Sequence, residues 1–169
     1  MRRLLLLPAL LLIASCNTNE DPTPTAPSPG NTIPTIGGTY SSPGMWRLEL
    51  NLPDEQTVFM CAGSLTIGNQ VGDNFSGSFL ILDPNCGSPF RGDVVNGVYR
   101  SDGTVTFELT FSDASTNFIT GAFGCAYVSG ATAITGTLID TRLEGEARTE
   151  LDCGADGRAS QLIRLGGNR

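Results

Sequence analysis

The sequence predicts an all-β protein, an antiparallel up-and-down meander of about eight or nine strands that closes into a barrel. From Tyr40 onward, apolar and polar residues alternate with period two, the pattern of strands that bury one face. Turn-forming segments rich in Gly, Asp, Asn and Ser separate these stretches, and helical periodicity is nearly absent. A β-sandwich is the alternative arrangement for so many short strands.

Nine strands are predicted in chain order. The clearest is "GTVTFELTF" at 103–111, in which Val105, Phe107 and Leu109 face one way while threonines and a glutamate face the other. "RLEGEARTEL" at 142–151 alternates in the same way, with its charged residues on one face. The other predicted strands are 46–52, 57–67, 74–82, 94–100, 117–127, 132–140 and 159–165.

A repeated glycine pattern favours the barrel over the sandwich. The pattern apolar-x-Gly-x-apolar occurs five times, as "FSGSF", "VNGVY", "ITGAF", "ITGTL" and "LEGEA". Glycine weakens a strand interior, so its repeated placement on the inward face needs a reason. Inward glycines let strands bend strongly in a small barrel. The five glycines are Gly77, Gly97, Gly121, Gly136 and Gly145.

The N-terminus has the features of an export signal. Arg2 and Arg3 precede an apolar run at 4–13, which as a helix would be about 15 Å long, too short to span a membrane. The run ends in Ile-Ala-Ser-Cys at 13–16, which resembles the lipobox of bacterial lipoproteins. That resemblance implies a signal peptide at 1–15 and a lipid-modified Cys16. The alternative is an ordinary secretory signal that is cleaved elsewhere.

Residues 16–38 are predicted to form a disordered, lipid-anchored linker, and residues 39–169 a single barrel domain. The linker contains five prolines among polar residues, so it cannot bury a core of its own. Asn17 follows the anchor in place of the aspartate that retains some lipoproteins in the inner membrane. We therefore expect a bacterial cell-envelope protein at the outer membrane, on its periplasmic face or at the cell surface.

Composition excludes several functions. Without residues 1–15 the chain keeps eight arginines against 17 acidic residues, a net charge of −9, which disfavours nucleic acid as a partner. The absence of histidine and lysine removes Ser-His-Asp, Cys-His and Schiff-base chemistry. Glycoside hydrolysis needs two acids, and Glu144, Glu146 and Glu150 are a candidate set, but they share a face with arginines and are interpreted as solvated. We therefore predict no enzyme activity and no cofactor.

Four downstream cysteines are predicted to form two disulfides, because exported cysteines meet an oxidising compartment. A zinc site is the rival interpretation, but the chain has no histidine and no CxxC pair, so no metal is expected. The predicted strand directions place Cys61 and Cys86 near one end of the barrel, and Cys125 and Cys153 near the other. Cysteines at opposite ends are too far apart to bond, so the predicted pairs are Cys61–Cys86 and Cys125–Cys153.

The layout of the strands is similar to that of calycins, the superfamily of lipocalins and avidins. That resemblance implies a lumen that could take a small apolar ligand, although "GTY" at 38–40 stands where lipocalins have Gly-x-Trp. Trp46, Phe107 and Phe123 are placed on the inward face, where they would either fill the lumen or line a pocket.

The segment "DPNCGSPFRGD" at 83–93 is the longest predicted connection. It is expected to present Phe90 and Arg91 to a partner, since aromatic and arginine side chains dominate interface hot spots. The predicted function is a non-catalytic binding module for an envelope protein or a small apolar ligand. An inhibitor of an extracellular hydrolase is the alternative, by analogy with the periplasmic lysozyme inhibitors, whose motif this chain lacks.

Overall fold

A computed structural model describes residues 34–82 and 90–169. The predicted signal peptide, Cys16, most of the linker and Cys86 lie outside the described residues. The described elements are β1 (Gly38–Asn51), β2 (Gln56–Val71), β3 (Asn74–Ile81), β4 (Phe90–Tyr99), β5 (Thr104–Phe111), α1 (Asp113–Phe123), β6 (Ala126–Tyr127), β7 (Ala131–Ile139), β8 (Arg142–Asp152) and β9 (Arg158–Asn168).

Eight antiparallel strands form a closed meander barrel. β1 to β5, β7, β8 and β9 each pair with the next, and β9 pairs back with β1, where Trp46 lies opposite Leu165. The two-residue strand β6 pairs with one end of β8, outside this cycle. The predicted barrel is therefore confirmed, and the sandwich alternative is wrong.

The two ends of the barrel differ in their connections. At the lower end, tight turns join β2 to β3, β4 to β5 and β7 to β8, and Gly72, Gly103 and Asp140 in these turns have positive φ. At the upper end, longer connections join β1 to β2, β3 to β4, β5 to β7 through α1 and β6, and β8 to β9. The longer connections, which are where binding residues are often found, are therefore at the upper end.

The predicted strand at 117–127 is wrong, because most of this segment belongs to helix α1. Ser112 is the N-cap, and its side chain accepts a hydrogen bond from the backbone N–H of Ser115. Gly124 ends the helix in the left-handed conformation, and its N–H donates to the oxygen of Thr120 at 3.0 Å. Gly121 therefore lies exposed on the helix and not inside the barrel.

Because α1 does not cross the barrel, the strands after it run opposite to the predicted direction. The connections next to Cys125 and Cys153 consequently lie at the upper end, as does the β1–β2 connection near Cys61, so the predicted placement of these cysteines at opposite ends is wrong. The pair Cys125–Cys153 is nevertheless formed, and Cys61 is also in a disulfide. Since Cys86 lies outside the described residues, the pair Cys61–Cys86 stays a prediction.

Side chains fill the barrel interior. Trp46 and Phe107 are buried there as predicted, and Trp46 contacts Phe79 with ring centroids 5.5 Å apart. A dozen large side chains have less than 2 % of their surface exposed and are therefore closely packed on all sides. These are Ile36, Tyr40, Met45, Trp46, Leu50, Leu65, Ile81, Phe90, Leu109, Ile134, Leu143 and Leu151.

Residues 34–37 bind to the lower end of the barrel. Ile36 is 1 % exposed, and its backbone N–H donates to Oε1 of Gln70 at 2.8 Å. Arg169 donates from Nη1 to the backbone oxygen of Thr35 at 3.1 Å. The predicted domain boundary, which places these residues in the linker, therefore lies too late in the chain.

Four of the five repeated glycines lie in strands at close backbone approaches. Gly136 lies directly opposite Gly145, and a Cβ on Gly136 would collide with the backbone oxygen of Glu144. A Cβ on Gly145 would stand 2.9 Å from Cγ2 of Ile134. The same is true of Gly77 and Gly97 against β2 and β3, so strong coiling accounts for these four.

Candidate functional site

The predicted site residues do not come together in the structure. Trp46 and Phe107 are part of the packed interior, whereas Phe123 is the last residue of α1 at the upper end. Phe90 was predicted to be exposed, but it is 1 % exposed and packs against Phe111 with centroids 5.2 Å apart. Of the two predicted contact residues, only Arg91 is exposed.

The strand positions of Phe90 and Arg91 explain this difference. Phe90 is the first residue of β4 and not a loop residue, so its side chain points into the barrel and that of the next residue points outward. The β4 register pairs Phe90 with Ile81 on the inward side. The prediction that Phe90 contacts a partner is therefore wrong.

A cleft of about 210 Å³ opens at the upper end. It lies between the β1–β2 turn, the end of α1 and the Cys125–Cys153 disulfide. Leu52 and Phe123 pack against the core and form its apolar base, while the carboxylates of this cleft belong to exposed residues. The complete lining is Leu52, Pro53, Asp54, Glu55, Phe123, Cys125, Cys153 and Asp156.

The electrostatics of this cleft favour a cation. Asp54, Glu55 and Asp156 have no side-chain hydrogen bond or ion pair to any residue in the described ranges. The last turn of α1 contains no basic residue, so its unpaired carbonyl groups add negative partial charge beside Phe123. The cleft therefore combines an apolar base with a negative rim, which suits the aliphatic stem and charged end of an arginine or lysine.

The start of α1 is fixed to the barrel by one buried serine. Ser115 is 1 % exposed, and its hydroxyl accepts from the backbone N–H of Arg91 at 2.9 Å and donates to the backbone oxygen of Arg91 at 3.1 Å. The disulfide holds the chain after α1 to the β8–β9 connection. Because both ends of this segment are held, the wall that it contributes to the cleft is preformed.

A partly buried tyrosine, Tyr127, holds the inner side of the same segment. Tyr127 stacks on Phe111 with centroids 4.8 Å apart, and its hydroxyl donates to Oε1 of buried Gln161 at 2.8 Å. Burial raises the pKa of Tyr127 far above its ordinary value, and the hydrogen bond to Gln161 opposes this only in part. The tyrosine is therefore neutral and a hydrogen-bond donor at physiological pH.

The glutamates considered for hydrolysis are in ion pairs on the outer face of β8. Glu144 pairs with Arg142 at 2.6 Å, and Glu146 pairs with Arg164 at 3.3 Å. All four side chains are about half exposed or more, as expected of a solvated face. Within residues 34–82 and 90–169, no three His, Cys, Asp or Glu side chains group as metal ligands, and no helix is long and apolar enough to cross a membrane.

The upper cleft was missed in the sequence because α1 was interpreted as a strand. The helix signals were present, since Ser112 is an N-cap residue and Gly124 is a typical C-terminal glycine twelve positions later. Comparison with protein-family models, with curated proteins and with solved structures finds no match for this chain.

Proposed function

We propose that this chain is a lipid-anchored cell-envelope protein that binds a protein partner at the upper end of its barrel and is not an enzyme. The observation that carries this proposal is the contrast between a filled interior and a preformed upper cleft. A carrier of apolar ligands needs a cavity of several hundred Å³, which the packed side chains do not leave. We therefore assign the binding role to the outer surface of the barrel.

The charge of the cleft indicates the chemistry of the partner. Asp54 and Glu55 in the β1–β2 turn and Asp113, Asp152 and Asp156 on the opposite side make the upper end acidic. Complementary charge accelerates encounter and selects partners. We therefore propose a protein with a basic surface, which places one arginine or lysine in the cleft.

The point at which the linker joins the barrel supports a partner site at the upper end. The chain enters the barrel at its lower end, where Ile36 and Tyr40 hold it. A lipid at Cys16 would therefore attach the barrel to the membrane through its lower end, the end opposite the upper cleft. Replacing the thiol in Cys16→Ser should then release the protein from the membrane fraction. Unchanged membrane fractionation of Cys16→Ser would place the anchor elsewhere.

Site-specific photo-cross-linking in the producing cells tests the binding role. A photoreactive phenylalanine analogue in place of exposed Phe118 on α1 should give a discrete adduct, and the same analogue in place of exposed Ile139 at the lower end should not. Equal adducts from both positions, or none from Phe118, would contradict an upper-end interface.

Neutralising the cleft tests the charge of the partner. The triple change Asp54→Asn, Glu55→Gln and Asp156→Asn should reduce the yield of the Phe118 adduct at least severalfold. The matched control is Asp73→Asn, Asp102→Asn and Asp140→Asn, which removes the same charge at the lower end. Loss of the adduct in both triple variants would show that only net charge matters.

A further inference from the structure

We infer that two copies of this chain associate through the outer side of β2, β3 and β4, a surface called here the β2–β4 face. Its members are Val58 and Met60 of β2, Leu80 of β3, Leu82 just after β3, and Arg91 and Asp93 of β4. This face does not include the upper cleft, so the inference is independent of the partner proposed above.

An apolar row marks this face. Outward positions on β8 are charged, as expected of a solvated barrel surface, but Val58, Met60 and Leu82 are 46 %, 55 % and 59 % exposed. The N–H of Leu82 donates to the oxygen of Ala62 at 3.2 Å, so Leu82 lies against β2 at a point two residues from Met60 and four from Val58. Contiguous exposed apolar groups of this kind mark interaction sites.

A hollow lies beside the apolar row. Its volume is about 450 Å³, and its lining includes Phe79, Phe111, Leu80 and Arg91. Gly92 has no room for a side chain, because a Cβ there would collide with the backbone oxygen of Thr110 and stand 2.7 Å from the ring of Phe79, so β4 packs tightly against its neighbours at the hollow. Leu80, two residues before Leu82, lines the hollow, so the row and the hollow adjoin on this face.

The β2–β4 face is complementary to itself. A two-fold axis brings the protruding Leu82 of each copy to the hollow of the other, because both features lie on the same face. Arg91 and Asp93 lie two positions apart on β4, and within the described part of the chain neither side chain has a hydrogen bond or an ion pair. The same axis pairs Arg91 of one copy with Asp93 of the other, twice.

Charge selects a second copy over a basic partner at this face. The whole chain has a net charge of −7, so two copies repel each other over most of their surface. On the β2–β4 face the charges balance, since Arg91 offsets Asp93, and the neighbouring Arg47 pairs with Glu49 at 2.8 Å. Two identical acidic proteins therefore associate through an apolar, neutral face, because electrostatic repulsion is smallest there.

Charge reversal tests this association with protein that lacks only residues 1–16. At about 100 μM, where an interface of micromolar Kd is occupied, sedimentation velocity should give twice the monomer mass. Arg91→Asp alone and Asp93→Arg alone should each sediment as monomers, because each brings like charges together. An equimolar mixture of the two variants should regain the doubled mass, since both ion pairs form again between unlike copies.

The apolar contact has its own variant and control. Leu82→Glu should halve the sedimenting mass, whereas Val71→Glu, at an 81 % exposed position near the lower end, should leave it doubled. Trp46 emission reports that each variant is folded. A monomeric parent, or two charge variants that remain monomeric when mixed, would overturn the inference.

Discussion

The hydroxyl of Tyr40 donates a hydrogen bond of 2.7 Å to the backbone oxygen of Ile36, four residues earlier in the chain. Both residues are buried, so this bond forms inside the lower end of the barrel. It fixes Ile36 as the closure of that end, while α1 and the Cys125–Cys153 disulfide lie at the other end. The interior is therefore closed by the chain itself.

Shortening the side chain that closes the lower end should destabilise the protein. Ile36→Ala removes buried apolar surface and leaves a cavity, so we expect a loss of about 2–5 kcal/mol in the free energy of unfolding. Ile139→Ala makes the same chemical change at an exposed position and should cost less than about 0.5 kcal/mol. Urea unfolding of both variants measures the difference. Equal losses would mean that Ile36 does not close the barrel.

Two glycines in nearly identical motifs should respond in opposite ways to alanine. Gly121 in "ITGAF" is on α1 with no atom near its missing Cβ, so Gly121→Ala should stabilise the protein by up to about 1 kcal/mol. Gly136 in "ITGTL" faces the β8 backbone, so Gly136→Ala should destabilise it by about 1–3 kcal/mol. Destabilisation by Gly121→Ala would support the strand predicted at 117–127.

The sequence predicts the barrel well because its strands alternate along most of their length. Val105, Phe107 and Leu109 are buried, and their threonine neighbours are not, as expected of β5. The segment 117–127 was wrongly predicted as a strand because Thr, Ile and Phe favour strands, and because "ITGAF" repeats a motif that is inward-facing elsewhere. Only the N-cap at Ser112 and the αL glycine at Gly124 distinguish it.

The candidate site was less predictable than the fold. The upper cleft joins residues from three separate connections, and their meeting depends on strand direction, which one mistaken element reverses. The position of Phe90 depends on a strand that starts four residues earlier than the predicted 94–100, and this turns the side chain inward. Local patterns do not encode either relationship.

Removing the Cys125–Cys153 disulfide should destabilise the upper end of the barrel. Cys125 and Cys153 are 28 positions apart, so in the chain-entropy model their bond stabilises the protein by about 3–4 kcal/mol. Cys125→Ala with Cys153→Ala should lower the free energy of unfolding by that amount. Amide exchange should accelerate most over 113–127, the segment that the bond holds. A loss below about 1 kcal/mol would contradict this role.

Stability should fall at alkaline pH because of Tyr127. Burial raises the pKa of its hydroxyl above the ordinary value of about 10, so above that pH the unfolded state releases the proton first. The stabilisation is complete below about pH 10 and is lost as the pH rises further. Burial also raises the pKa of Tyr40, which adds to the same loss.

Tyr127→Phe isolates this contribution. The variant should lose stability less steeply above pH 10 than the parent, because one titrating group is gone. At pH 7 it should be less stable by about 1–3 kcal/mol, since Oε1 of buried Gln161 loses its donor. Urea unfolding at pH 7, 9, 10 and 11 measures both effects, and parallel pH profiles for the two proteins would contradict the assignment.

Because side chains fill the barrel interior, we expect binding to occur on the outer surface. Trp46 is the single tryptophan and lies in that interior, which makes its emission a direct probe. Titration with N-phenyl-1-naphthylamine, a neutral apolar dye, should leave Trp46 emission unchanged and give no saturable binding to the folded protein. One-to-one binding that quenches Trp46 in the folded protein would contradict a filled interior and make this protein a carrier of apolar ligands.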